Sequence, residues 1–182
     1  MEKKVVTKKE STKKETAKKT ATKKAKATKT TAMRILERMK IPYEMRTYEC
    51  DEFTDGIHVA DLLGISYETM YKTLVTVGKS KAYYVFVIPI AEEIDFKKAA
   101  KSVGEKSLEM LPLKELTAVT GYVRGGCTSI GMKKKFKTII QEDAQKLDKI
   151  IVSGGKIGLQ LILLPEDLKR AADAEYADII HR

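Results

Sequence analysis

The sequences GYVRGGCTSIGM at residues 121–132 and VSGGKIG at residues 152–158 decide how the rest of the chain is interpreted. Each contains an adjacent glycine pair just beyond a short apolar run, at residues 125–126 and at residues 154–155. Glycine has no Cβ, so the backbone can turn sharply there or approach a ligand closely. The two stretches predict either the walls of a binding pocket or two ordinary hairpin turns, because Gly-Gly is also a common turn signal between strands.

Length and charge predict one domain with an N-terminal tail. The chain has 182 residues, and its 43% hydrophobic content suffices for one core. The whole chain carries a net charge of +10, but residues 1–30 hold 12 lysines against 3 glutamates, so the remaining residues are nearly balanced. The basic character belongs to the tail and not to the folded part. We therefore predict a tail at residues 1–30 and a single domain at residues 31–182.

Lysine pairs recur every five positions in the tail, and the other residues there are mostly Thr, Ala and Glu. A period of five fits neither a helix nor a strand, and almost no apolar side chain is present for burial, so the pattern predicts disorder. Lysines on a flexible tether neutralise RNA phosphates without sequence preference, which suggests a role in RNA binding. A solubilising extension is an equally good interpretation.

The cysteines and the hydropathy pattern predict the compartment. Cys50 and Cys127 lie far apart, without CxxC spacing and without a histidine nearby in the sequence. The sequence shows no apolar signal segment and no run of about 18 apolar residues. We expect a soluble cytoplasmic protein with no metal site, no other cofactor and no membrane partner.

Apolar spacing and local stop signals predict a mixture of helices and strands. The clearest element is a pair of apolar runs separated by GKSK, which is typical of a β-hairpin. The predicted helices are a first one capped by Thr31 and others at residues 55–63, 95–104, 112–121 and 165–172. The predicted strands are at residues 43–48, 71–77, 82–90, 136–140, 149–153 and 159–164. Because strands and helices do not alternate regularly, the pattern indicates the α+β class.

Several separated motifs resemble the YbaK/EbsC family of free-standing aminoacyl-tRNA deacylases, which are related to the editing domain inserted in bacterial prolyl-tRNA synthetases. The motifs, beside residues 121–132, are RTY at 46–48, YKTLV at 71–75, FKKAAKSVG at 96–104 and IIVSGGKIGLQLILLPEDL at 150–168. The resemblance covers about residues 32–182 and implies a mostly antiparallel, barrel-like sheet flanked by helices. Relatives commonly carry Ser-Pro where this chain has Thr128-Ser129, so we expect a looser first glycine loop.

The resemblance implies three catalytic residues. Lys72, in YKTLV, matches the functional lysine of the family and would hold the ester carbonyl or a nearby phosphate or ribose oxygen. Without the family, a lysine at this place is more simply the solvent face of an alternating strand. Tyr48 would form a wall of the pocket, and Gly126 would offer its N–H to the carbonyl oxygen.

Four further positions match the substrate pocket of the family, namely Thr73, Gly125, Ser153 and Gly154. Ser153 would orient the amino group or the ribose of the substrate. For Tyr48 and Ser153, roles in strand-end packing and in a turn are equally good interpretations.

The resemblance also implies a reaction and its partners. The substrate would be aminoacyl-tRNA, chiefly Cys mischarged on tRNA for proline, and Cys-tRNA(Cys) as a second substrate. The sequence shows no Ser-His-Asp arrangement and no metal cluster, and in the family the thiol of the substrate attacks its own ester carbonyl. Prolyl-tRNA synthetase is a candidate docking partner.

Three alternatives stay open at this point. Cys127, beside the first glycine pair, could be the nucleophile of a cysteine hydrolase. The run Lys133, Lys134 and Lys135 could contact the tRNA acceptor end or form an ordinary solvated surface. The whole chain could be a catalytically inert RNA-binding module, or a deacylase with another preference such as Ala.

Overall fold

The computed structural model describes residues 28–50 and 52–182, which form five α-helices and eight strands. The helices are α1 (Thr31–Arg38), α2 (Gly56–Leu63), α3 (Phe96–Val103), α4 (Leu116–Thr120) and α5 (Pro165–Ala172). The strands are β1 (Glu44–Thr47), β2 (Tyr71–Gly78), β3 (Tyr83–Pro89), β4 (Leu108–Met110), β5 (Lys137–Gln141), β6 (Ile150–Ser153), β7 (Leu159–Leu163) and β8 (Ala174–Ala177). Within these residues, no helix is long and apolar enough to span a membrane. The tail predicted at residues 1–30 lies outside the described residues except for residues 28–30.

The strands form two sheets, which confirms the α+β class. One sheet has the order β4-β2-β3-β5-β8, and the other has the order β1-β7-β6. Pairing is antiparallel except between β3 and β5 and between β5 and β8, so the sheets are mostly antiparallel, as expected. A single parallel bridge between Met70 and Ile151 links the two sheets, which do not close into a barrel.

Two large hydrophobic layers hold α1, α3 and α5 against the sheets, and two smaller clusters do the same for α2 and α4. Alternate residues of β3 point to opposite layers, with Val87 in one and Phe86 in the other. The first layer lies between the sheets and includes Leu36 of α1 and Leu168 of α5, both fully buried. The second layer includes Ala99 of α3. This alternation follows from the two-residue period of a strand. The start of β2 lies at the border between the sheets, directly after the bridge between Met70 and Ile151.

Most predicted helix ends are confirmed by cap geometry. The Asp55 carboxylate accepts from the N–H of His58 at the start of α2, and Asp95 does the same for Lys97 and Lys98 at the start of α3. The prediction for α1 was wrong by one residue, because the hydroxyl oxygen of Thr30, and not that of Thr31, accepts from the N–H of Met33 at 3.3 Å. The short strands β4 and β8 were not predicted from the sequence.

The two glycine stretches have different structures. Residues 154–158 join β6 to β7 and form a hairpin loop, since Ser153 pairs with Gln160 in antiparallel register. Residues 121–132 join α4 to β5, so they are not a turn between paired strands. The hairpin interpretation therefore holds for the second stretch and is wrong for the first.

Candidate active site

A cavity of about 370 Å³ lies where the start of β2 and the start of α2 meet the two glycine loops. Both sheets contribute to it, since Lys72 belongs to β2 and Ser153 ends β6. The polar or charged side chains on its wall are Tyr48, Thr54, Asp55, Tyr71, Lys72, Thr73, Arg124, Ser153 and Gln160. Concave sites of this size, with a few convergent polar groups on an otherwise apolar wall, are typical of small-molecule binding.

Lys72 is the half-buried cation of this cavity. Its ammonium group donates a hydrogen bond to the main-chain oxygen of Ile90 at 3.1 Å. Burial lowers the pKa of Lys72, and the negative charges of Glu93 and Glu92 partly offset that effect. A partly desolvated ammonium group interacts more strongly with a developing negative charge than one in bulk water does.

The two glycine loops contact each other through their backbones. A Cβ at Gly126 would lie 2.9 Å from the Cα of Lys156, so only glycine allows this approach. The N–H of Gly126 donates to the main-chain oxygen of Val123 at 3.0 Å. In this conformation the N–H of Gly126 is therefore engaged within its own turn, which differs from the predicted donation to a substrate carbonyl oxygen.

Two side chains hold the loops in place. The buried Tyr122 donates its hydroxyl to the main-chain oxygen of Ile130 at 2.6 Å and thereby spans the first loop. The hydroxyl of Thr30 donates to the main-chain oxygen of Gly154 at 2.6 Å and connects the start of α1 to the second loop. Thr128 and Ser129 are buried, at 0% and 8% exposure. The first loop is thus packed and internally bonded at the place where Ser-Pro is absent.

The rim of the cavity carries an aromatic ring and a cation in contact. The guanidinium carbon of Arg124 lies 3.9 Å from the centre of the Phe53 ring, a cation–π arrangement. Phe53 is 42% exposed, so part of its surface faces solvent at the entrance. Of the described residues on the cavity wall, those with formal charges are Asp55, Lys72 and Arg124.

Cys127 lies in the cavity wall as a protonated thiol. Burial raises its pKa to about 12, although a hydrogen bond with Thr120 acts in the opposite direction. The thiolate is the nucleophilic form of cysteine, so this environment is the reverse of the one that activates catalytic cysteines. Burial therefore argues against a nucleophilic role for Cys127.

Comparison with known proteins gives two matches that decide the family. The sequence profile of the aminoacyl-tRNA editing domain matches residues 55–171. A protein of Enterococcus faecalis (strain ATCC 700802 / V583) assigned as a Cys-tRNA(Pro)/Cys-tRNA(Cys) deacylase, EbsC, is 47% identical over 152 residues, covering 83% of this chain and 93% of that protein. The chain belongs to the aminoacyl-tRNA editing domain family.

Two crystal structures share the fold of this editing domain. One is assigned as a trans-editing enzyme for prolyl-tRNA synthetase, with 22% identity, a TM-score of 0.69, and coverage of 77% of this chain and 87% of that one. The other, a hypothetical protein, has 20% identity and a TM-score of 0.76 over 84% of this chain and 100% of that one. At these identities the likeness establishes the architecture alone.

The editing domain brings five of the predicted site residues to one cavity. They are Tyr48, Lys72, Thr73, Gly125 and Ser153. Gly126 and Gly154 are buried behind the wall, Gly126 against residue 156 and Gly154 against the side chain of Leu159. The predicted tRNA-binding lysines, Lys133 to Lys135, are not among the residues that line this cavity.

Sequence reasoning missed Phe53, Asp55, Arg124 and Gln160, which also line the cavity of the editing domain. Arg124 could have been found, since it precedes the first glycine pair directly. Gln160 could have been found too, because it is a polar residue in the otherwise apolar strand β7 and is 5% exposed. Within the described residues, no group of three or more His, Cys, Asp or Glu side chains could hold a metal ion.

Proposed function

We propose that this editing domain is a trans-acting deacylase that removes Cys from mischarged Cys-tRNA(Pro), and also from Cys-tRNA(Cys). The observation that carries the proposal is the half-buried Lys72 in a cavity walled by two glycine loops in backbone contact. The 47% identical relative assigned as a Cys-tRNA(Pro)/Cys-tRNA(Cys) deacylase supports this substrate class. That relative is matched over 93% of its own length, so it carries no attached synthetase, which supports action outside a synthetase.

The reaction proceeds with the thiol of the substrate as the nucleophile. The sulfur attacks the ester carbonyl carbon, the bond from that carbon to the ribose oxygen breaks, and the thiol proton passes to the ribose oxygen. The products are uncharged tRNA and a cyclic thioester, which water then opens to free cysteine. Holding the sulfur against the carbonyl exploits the high effective molarity of an intramolecular reaction. A protonated Cys127 is consistent with this scheme, which needs no nucleophile from the protein.

Lys72 stabilises the negative charge that develops on the carbonyl oxygen. Its partly desolvated ammonium group is held by Ile90, and it supplies a charge-assisted hydrogen bond to the oxyanion. Tyr48, Thr73 and Ser153 form the wall that holds the aminoacyl group, and Ser153 orients its amino group or the ribose.

Asp55 and Arg124 complement the two charges at the ends of the substrate. The Asp55 carboxylate attracts the α-ammonium group, while Arg124 at the rim attracts the phosphate of the terminal nucleotide.

Asp55→Asn keeps the side-chain acceptor that caps α2 and removes the charge. We expect this variant to lose the preference for cysteinyl-tRNA over the 3-mercaptopropionyl ester, which keeps the thiol and lacks the amine.

Of the lysine run at residues 133–135, Lys134 and Lys135 contact the acceptor end of tRNA in this proposal, and the basic residues 1–30 add affinity that depends on salt. Prolyl-tRNA synthetase is the candidate protein partner, because it releases the mischarged substrate. Charged tRNA is used where proteins are made, so the proposal places the protein in the cytoplasm.

The test measures release of labelled amino acid from Cys-tRNA, Pro-tRNA and Ala-tRNA, each charged on tRNA for proline. Wild type is compared with Lys72→Ala and with Lys101→Ala, an exposed lysine near the end of α3. We expect release from Cys-tRNA that collapses in Lys72→Ala and persists in Lys101→Ala. Equal rates on Ala-tRNA and Cys-tRNA would rule out the substrate-thiol mechanism. No release from any substrate, with tRNA binding intact, would favour the inert RNA-binding module.

A further inference from the structure

A second cavity, of about 480 Å³, lies on the other side of the first glycine loop. The loop supplies residues to both cavities, with Gly125 in the first and Gly131 in the second. Six residues of chain span at most roughly 20 Å, so the two cavities lie within a few nucleotides of each other along an extended strand.

Positive charge dominates the wall of the second cavity. Arg38 from the end of α1, Lys134 and Lys135 from the loop before β5, and Arg170 from α5 line it, against one acidic residue, Asp173. Arg170 also pairs with Asp167 at 3.5 Å. Arg38, Lys134 and Lys135 have no ion-pair partner within residues 28–50 and 52–182. Three unpaired cations facing one concave surface repel one another and favour an anion between them.

An unsatisfied hydroxyl group belongs to the same wall. Ser129 lines the cavity and is 8% exposed, and its Oγ has no hydrogen-bond partner in the described part of the chain. A buried polar atom without a partner destabilises the fold, so its presence calls for a group that completes its hydrogen bonding. A phosphate oxygen in the cavity supplies such an acceptor after a small shift of the wall, because the Oγ atom has less than 1 Å² of accessible surface.

The lysine run is divided by the structure. The ammonium group of Lys133 donates to the main-chain oxygen of Ala118 at 3.4 Å, and its aliphatic chain covers Gly121. Lys133 is not part of the cavity wall, whereas Lys134 and Lys135 are. Adjacent lysines with the same charge and exposure thus differ in whether they face the second cavity.

We infer that the second cavity binds backbone phosphates of the tRNA acceptor end while the aminoacyl ester occupies the first cavity. The inference rests on the proposed function for the identity of the RNA. The C-terminal ends of α1 and α5 border this cavity, and their carbonyl groups oppose an anion. The three unpaired cations of the wall outweigh these carbonyl groups and Asp173, because full charges interact more strongly than the partial charges of short helices.

The test compares the full-length Lys134→Ala/Lys135→Ala double variant with Lys133→Ala for binding to uncharged tRNA over a range of salt concentrations. Uncharged tRNA makes the readout independent of ester cleavage, and all variants keep the same N-terminal residues. We expect the double variant to bind about tenfold or more weakly, with a salt slope reduced by about 0.7 to 0.9 per lost phosphate contact. Lys133→Ala should change affinity by less than about twofold.

The single variants Lys134→Ala and Lys135→Ala are measured beside Lys133→Ala. If Lys133→Ala weakens tRNA binding as much as either of them does, the inference is overturned, because the lysines would then act as diffuse surface charge. Binding of inorganic phosphate that is lost in the double variant, with tRNA affinity unchanged, would also overturn it in favour of a small-anion site. Failure of the deacylase assay with the binding result as expected would refute the proposed function and leave the phosphate site standing.

Discussion

The ammonium group of Lys72 donates to the main-chain oxygen of Ile90 at 3.1 Å, from the start of β2 to the residue just beyond the end of β3. This bond fixes the lysine at the border between the two sheets, where the cavity lies. The hairpin register places Lys72 opposite Ile88, so the lysine position follows from the pairing of β2 with β3. A cation that is useful for catalysis is therefore held by the main chain and not by a carboxylate partner.

Lys72→Met should separate activity from stability. Removing the cation should lower kcat/KM for Cys-tRNA(Pro) at least about a hundredfold, the loss typical of one missing oxyanion donor. Because burial penalises the charged ammonium group, the fold should be as stable as wild type or more stable by up to about 1 kcal/mol. Deacylation kinetics and urea unfolding of the same preparations check both statements. A variant that loses activity through unfolding would indicate a structural role for Lys72.

The stability gap between wild type and Lys72→Met should depend on pH. Burial lowers the pKa of Lys72 in the folded protein below its ordinary value of 10.5. At pH values between the folded and unfolded pKa, the unfolded chain therefore binds more protons than the folded protein does. The free energy of unfolding of wild type should therefore rise relative to the variant as the pH increases through that window. At lower pH both states hold the proton, and the gap should stay constant. Urea unfolding at a series of pH values up to 10.5 measures this, and a gap that does not change would contradict the lowered pKa.

The sequence predicted the helices and long strands well because their signals are local. Asp55, Asp95 and Gly64 act as helix caps by interactions within one turn, and GKSK specifies a hairpin by itself. The strands β4 and β8 were missed because each is short and owes its pairing to a distant partner. No local pattern reports such a partner.

The candidate site was predicted in part, and the missing part depends on long-range contact. Lys72 and Ser153 belong to motifs that the family resemblance identified, and both line the cavity. The contact of Gly126 with the backbone of Lys156 joins two loops that are thirty residues apart in the chain, so the sequence could not show that Gly126 is buried behind the wall. The cation–π contact of Arg124 with Phe53 is of the same long-range kind.

Cys127→Ala should retain deacylase activity. With a pKa of about 12, the thiol is protonated at neutral pH and cannot act as the nucleophile. We expect kcat/KM for Cys-tRNA(Pro) within about threefold of wild type, with stability lower by about 1 kcal/mol from lost packing. The same release assay, together with thermal unfolding, checks this. A loss as large as that of Lys72→Met would restore the cysteine-hydrolase interpretation.

Thr30→Val should loosen the second glycine loop. The substitution keeps the shape of the side chain and removes both its bond to the Gly154 oxygen and its cap on α1. We expect a stability loss of about 1 to 2 kcal/mol and a raised KM for Cys-tRNA(Pro), because Gly154 directly follows Ser153, which lines the cavity. Ser102→Ala, which removes a hydroxyl bonded within α3, serves as the control and should leave KM unchanged.

Ser129→Ala should stabilise the protein in the absence of RNA. The Ser129 hydroxyl is buried and has no partner in the described part of the chain, so replacing it with a methyl group removes an unsatisfied polar atom. We expect the free energy of unfolding to rise by about 1 kcal/mol, measured by urea unfolding without tRNA.

The neighbouring Thr128→Val provides the matched control for Ser129→Ala. Thr128 is also buried, but its hydroxyl accepts from the N–H of Ile130 at 3.4 Å, so removal of the hydroxyl leaves that N–H unsatisfied. Thr128→Val should therefore lower the free energy of unfolding while Ser129→Ala raises it. Two adjacent buried hydroxyl groups in one loop are then distinguished by whether each has a partner. A loss of stability in both variants would mean that Ser129 is already hydrogen-bonded in solution, and the hydroxyl would no longer support a phosphate at the second cavity.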